Sequence, residues 1–159
     1  MDLEDRIAIQ DLIADYAYFW DERDPERWAS LFTPDGVLEI YVPGVRPPVR
    51  RVTNLGERIT SAREAFVTQA TRRTRIYSTS IRFDELTEDR ALVRTVILVV
   101  EVSDTREGAI RPLYSGTSSD QFRKTPVGWR FAKREIHSDQ NPGFGNAQDF
   151  DSPADAASD

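Results

Sequence analysis

Between residues 9 and 20 the side chains Ile9, Leu12, Ile13, Tyr16, Ala17 and Trp20 recur at intervals of three and four. That spacing lays them on one face of a helix over residues 3–22. Asp21 follows four residues after Ala17, about 40° around the helix from it, so a carboxylate joins the apolar face. "RDPERW" then restarts the chain. Asp24 suits the N-cap of a second helix, Pro25 its first position, and Glu26 complements its dipole. Trp28, Leu31 and Phe32 form the buried side of that short helix. "TPDG" at 33–36 reads as a turn, with Pro second and Gly fourth.

Alternation takes over afterwards. "VLEIYV" (37–42) places Leu38, Ile40 and Val42 on one side of a strand. A Pro-rich loop with room for a short edge strand follows. "SARE" at 61–64 has the form of a capping box and opens a third helix through about residue 71, with Phe66 and Ala70 inward. From residue 75, "RIYSTSIRFDEL", "RALVRTVILVVEVS", "IRPLYSGTSSDQFRK" and "GWRFAKREIHS" read as four strands. "TEDR", "DTREG" and "TPVG" are the turns between them. Helices first and a run of antiparallel strands afterwards make an α+β fold, with the helices on one face of a mixed or antiparallel sheet. The expected domain runs over 1–141, and 142–159 forms an acidic tail.

Length and composition narrow the function. The 159 residues suffice for one domain. No apolar run reaches the length of a membrane span, and the opening "MDLEDR" has no signal-peptide pattern, so a cytoplasmic location is the default. With no cysteine there is no disulfide framework and no thiol nucleophile. Of the net charge of -6, the tail supplies four negative charges (Asp149, Asp151, Asp155, Asp159) and no positive one. The remainder is close to neutral, which argues against nucleic-acid binding. The arginines between residues 46 and 75 (Arg46, Arg50, Arg51, Arg58, Arg63, Arg72, Arg73, Arg75) have few aromatic neighbours and read as a solvated face. One histidine without cysteine predicts no metal site, and "PGFGN" lacks the strand and helix of a phosphate loop.

The helix "AIQDLIADYAYFWDERDPERWASLF", the segment "TPDGVLEI" and the closing strand "GWRFAKREIHSDQ" together resemble the SnoaL-like branch of the nuclear transport factor two-like superfamily. In layout the chain is similar to scytalone dehydratase, hexachlorocyclohexane dehydrochlorinase and the β subunits of ring-hydroxylating dioxygenases. The resemblance spans roughly residues 5–140. It implies a cone in which a curved sheet wraps the long first helix, with two further helices and a deep apolar pocket at the open end. In the two enzymes an Asp late in the first helix works with a His on the strand after the third helix. Asp21 stands at the place of that Asp. The place of the His is taken by Ile76, followed by Tyr77.

These residues set the chemical expectations. A carboxylate in an apolar cavity near a helix C-terminus has its charged form disfavoured, so Asp21 is the candidate general base. Tyr16, Tyr41 and Tyr77 are candidate hydroxyl donors to a substrate oxygen. Arg134, which alternates with Arg130, Ala132 and Ile136 on the closing strand, is a further candidate to stabilise developing negative charge on an enolate. If that face is inward, Arg134 needs an acid, and Asp21 is available, with Arg23 and Arg27 as competing partners. Trp20, Trp28, Phe32, Leu38, Phe66, Ile76, Ser118 and Ile136 are the expected pocket wall. His137, the single histidine, is a lesser candidate for a catalytic base, and alternation from Arg134 and Ile136 points it away from the pocket. The expected activity is that of a cofactor-independent lyase or isomerase acting on a small apolar cyclic molecule. The alternative is a non-catalytic ligand-binding protein or a β-type oxygenase subunit. Either would be a homo-oligomer, dimer or trimer, because "VILVVEV" carries apolar residues on both faces of its strand. Phe144 and Phe150 are candidate lid residues.

Overall fold

The structure, a computed structural model, describes residues 3–69, 72–103 and 109–141. The tail from residue 142, including Phe144 and Phe150, lies outside the described residues, as do Ala70 and "DTREG" (104–108).

Three helices precede most of the sheet: α1 (Leu3–Asp21), α2 (Pro25–Ser30) and α3 (Leu55–Thr68). The strands are β1 (Phe32–Tyr41), β2 (Arg50–Val52), β3 (Arg72–Leu86), β4 (Arg90–Ser103), β5 (Ile110–Thr125) and β6 (Gly128–Ser138). They form one sheet in the order β2-β1-β6-β5-β4-β3, in which every pairing is antiparallel except β1 with β6. This is the expected α+β architecture. α1 packs against both β3 and β6, with two strands between them in the sheet order. The sheet must therefore curve around the helix. Ile9, Leu12, Ile13 and Tyr16 fill the concavity as the sequence period requires.

The ends of α1 are fixed differently. At its start, Asp5 accepts from Trp129 Nε1 at 2.8 Å and pairs with Lys124 Nζ at 2.8 Å, docking the helix on the β5–β6 hairpin. At its finish, Asp24 N–H bonds Phe19 O and Arg23 N–H bonds Trp20 O. Arg23 has a positive φ of 59°. This is a Schellman stop, with an arginine at the position usually given to glycine. It leaves Asp21 in the last turn of the helix. Asp24 caps α2 as the sequence predicts, accepting from Arg27 N–H at 2.9 Å.

Three local expectations are corrected. α3 begins before "SARE": Asn54 is its N-cap, accepting from Glu57 N–H, and Glu57 Oε2 accepts from Thr53 N–H. The side chains of Asn54 and Glu57 thus satisfy amide donors at the helix start, so the capping signal was in "TNLGE". "TPDG" is no turn but a bulge inside β1, where the register to β6 shifts between Phe32 and Val37. Arg58, read as part of a solvated basic face, is fully buried. Its Nη1 donates to Gly36 O at 2.6 Å and its Nη2 to Thr33 O at 3.1 Å. The guanidinium occupies the carbonyls that the bulge takes out of the ladder, and so it clamps α3 to β1. Gly36 is required there, since a Cβ would come within 2.8 Å of Phe131 O.

Candidate functional site

Four polar side chains stand in a line across the largely apolar inner wall of the sheet. On β5, Gly116, Ser118, Asp120 and Phe122 alternate inward. Ser118 lies opposite Thr95 of β4, and Asp120 opposite Arg134 of β6. Thr95, Ser118, Asp120 and Arg134 are each at most 2% exposed. Ser118 Oγ donates to Asp120 Oδ2 at 2.8 Å, which leaves Thr95 to donate to Ser118 across 2.7 Å. Arg134 Nη1 stands 3.5 Å from Asp120 Oδ2. The guanidinium lies over the Tyr16 ring at 4.1 Å and near the Phe131 ring at 5.1 Å. Burial pushes the Asp120 carboxyl up to about 6, against the pull of Arg134 and the Ser118 hydroxyl. Burial likewise raises the Tyr16 and Tyr114 phenols, so both hold their protons at neutral pH.

Above this line runs a chain of aromatic rings. Tyr16 meets Trp28 at 5.6 Å and Phe32 at 6.3 Å; Trp20 meets Trp28 at 5.1 Å and Phe66 at 4.9 Å. Trp28, Phe32, Leu38 and Ile136 are buried, while Trp20, Phe66 and Ile76 are partly covered and packed against them. The expected pocket residues are thus brought together, Ser118 among them.

Asp21 is held elsewhere on the same helix. It lies about 140° around α1 from Tyr16 and faces β3. Its side chain is 8% exposed and its Oδ2 is 3.4 Å from Nη1 of Arg75, a half-exposed residue. Its Oδ1 is buried with no hydrogen-bond partner among the described residues. Desolvation raises the Asp21 carboxyl, and the Arg75 guanidinium and Ile76 backbone N–H oppose that shift. The expected Asp21–Arg134 pair does not form, because each has another partner. Nor do Arg23 and Arg27 serve Asp21: Arg23 donates to Gln69 O, and Arg27 contacts Glu22 and Asp24.

Two tyrosines leave the site. Tyr41 alternates with the inward residues Leu38, Ile40 and Val42 of its segment and therefore lies on the outer face. There its hydroxyl donates to Glu39 at 2.9 Å and its ring stacks on His137 at 4.8 Å. Tyr77 is 54% exposed. His137 points outward as expected and contacts Glu135 at 3.3 Å. No group of three or more potential metal ligands occurs among the described residues.

Sequence reasoning missed Asp120, Thr95, Tyr114 and Arg75. For Asp120 the signal was present, because two residues along a strand from Ser118 returns to the same face. Arg75 carried no such signal, since its partner depends on where the helix stops.

The fold and this inner wall define a class. A SnoaL-like domain model matches residues 1–135, and the chain belongs to that family. Rv3472 of Mycobacterium tuberculosis, a protein of unknown function, is similar in structure: TM-score 0.71, 26% identity, covering 87% of this chain and 78% of that one. A scytalone dehydratase candidate from Novosphingobium aromaticivorans gives TM-score 0.68 at 25% identity, covering 86% and 85%. The β subunit of a candidate aromatic-ring-hydroxylating dioxygenase from the same organism shares the fold: TM-score 0.71, 20% identity, covering 84% and 88%. No curated protein sequence matches the chain. The family's fold is shared by dehydratases, cyclases and non-catalytic proteins. Among the described residues no helix is long and apolar enough to cross a membrane.

Proposed function

We propose that the protein is a cofactor-independent lyase or isomerase that holds a small apolar cyclic molecule inside the curved sheet. Asp21 is the general base. The observation that carries this reading is the state of that carboxylate: nearly covered, raised by desolvation, with one oxygen lacking a hydrogen-bond partner among the described residues. Such a carboxylate is poised to take a proton from carbon or to assist loss of water. Trp20 and Phe66 supply an aromatic wall near the same helix end. The candidate dehydratase among the similar structures supports the reaction class.

The reaction class is tested by hydrogen–deuterium exchange of 2-tetralone, a small cyclic ketone with acidic C–H bonds, followed by NMR in D2O. The protein accelerates the exchange, and Asp21→Asn loses about a hundredfold of that acceleration. Exchange no faster than buffer, or equally fast with Asp21→Asn, overturns the reading.

The outer face bears on assembly, which the enzyme reading and the β-type subunit reading share. Tyr77, Leu92, Val96 and Leu98 are 38–54% exposed there, a strip suited to a protein neighbour. We assign that strip to a homo-oligomer contact; Val96→Lys shifting the mass in light scattering to that of a monomer supports it.

A further inference from the structure

Arg134 is fully buried, yet its Nε, Nη1 and Nη2 have no hydrogen-bond acceptor among the described residues. Asp120 Oδ2, its ionic neighbour, is 3.5 Å away and engaged by Ser118. Asp120 Oδ1 is equally without a partner. The guanidinium plane is held by Tyr16 and Phe131, and Leu38 and Asp120 flank Arg134 across the strands. A rigid fork of donors is therefore built into the inner wall, ion-paired with Asp120 but without a hydrogen-bond acceptor among the described residues. A guanidinium cannot relieve the situation by losing its proton. Buried donors without acceptors are costly, and a native site that keeps them calls for an acceptor beyond those the described residues supply.

We propose that Arg134 is the receptor for a ligand carboxylate, and that Asp120 takes up one proton as that anion arrives. The planar fork fits a planar acceptor with two oxygens, which favours a carboxylate over a single hydroxyl or ketone oxygen. The ligand is thus an aromatic or alicyclic acid, its ring against the Tyr16–Trp28 wall. This inference rests on the reading of the inner wall as a ligand pocket.

The proton follows from the charge balance. Asp120 and Arg134 together are neutral. A second anion beside Asp120 leaves a net negative charge in the interior unless Asp120 is protonated. Burial has already lifted its carboxyl to about 6, so a modest further push protonates it at neutral pH. The groups acting on Asp120 are Arg134 and Ser118, with Thr95 behind Ser118 and Glu135 acting through the sheet. Tyr16 and Tyr114 stay protonated, and Arg50 acts on Tyr16 rather than on Asp120. Ligand anion and proton enter together, Arg134 keeps its charge, and the site ends neutral as it began.

The test is calorimetric titration with 2-naphthoate and with 2-naphthamide, its neutral isostere, in buffers of different ionisation enthalpy at pH 7. The acid binds about tenfold or more tighter than the amide, takes up close to one proton, and weakens as pH rises. Asp120→Asn, which keeps the side-chain shape, abolishes the uptake, flattens the pH dependence and tightens naphthoate by about tenfold, because the competing anion is gone. A merely structural Asp120 predicts weaker binding instead. Arg134→Gln removes the preference for the acid. Equal binding of acid and amide, or binding without proton uptake, overturns the carboxylate receptor while leaving the pocket in place. Binding of neither probe overturns both.

Discussion

Asp120 and Arg134 face each other across β5 and β6 with both side chains closed off from solvent, 3.5 Å apart and not hydrogen-bonded. Acid and base of this kind normally neutralise each other through a close, paired geometry. Here the carboxylate is drawn toward Ser118 and Thr95, and the guanidinium toward the Tyr16 and Phe131 rings. The pair is a polar seam in an apolar wall.

Asp120 makes folding stability depend on pH in an unusual direction. Its folded-state value, about 6, lies above the ordinary 3.8. Its stabilising contribution is therefore complete below about 3.8 and is lost as pH rises through about 6. Comparing the protein with Asp120→Asn by urea denaturation between pH 4 and 7, the variant lacks a downward slope of up to about 1.4 kcal/mol per pH unit in that window. Parallel curves contradict the raised value.

Arg58 holds two backbone carbonyls of the β1 bulge. Arg58→Met fills similar space but leaves Gly36 O and Thr33 O without that donor. The expected loss is about 3 kcal/mol or more, read by chemical denaturation. Arg63→Met, on the exposed face of the same helix, changes stability by about 1 kcal/mol or less.

Gly36 has no room for a side chain, because the obstacle is backbone rather than a movable tip. Gly36→Ala lowers stability by about 1–3 kcal/mol. Gly44, with nothing near its Cβ position but a positive φ of 74°, is limited by conformation alone, and Gly44→Ala costs about 1 kcal/mol. Thermal melts of the two variants rank them in that order.

Asp24 caps α2 through Arg27 N–H. Asp24→Ala costs about 1 kcal/mol, and Asp24→Ser recovers most of it. A failure of Ser to rescue in denaturant titrations contradicts the capping role.

The elements with a long, regular period were legible in the sequence. The alternation of "RALVRTVILVVEVS" and "GWRFAKREIHS" reproduced β4 and β6, and the three-four spacing reproduced α1. Points where a long-range contact overrides a local signal were not. "TPDG" carries turn residues, but pairing with β6 and the buried Arg58 draw it into a strand. Charge partners were the least legible. The acid beside Arg134 stands on the neighbouring strand rather than on the helix, a matter of register between segments fourteen residues apart that alternation along one strand does not reveal. Asp21 was placed by the helix period, whereas its companion Arg75 follows from the Schellman stop and the start of β3.

The carboxyl pKa of Asp21 tests the central claim most directly, by carbon-detected NMR titration with Asp21→Asn as the assignment control. The expected value lies above the ordinary 3.8, since desolvation outweighs the opposing Arg75 guanidinium and Ile76 backbone N–H. A further rise is expected in Arg75→Gln, which removes the opposing charge. A value below 3.8 would show an ion pair in command of the carboxylate and would contradict Asp21 as the base.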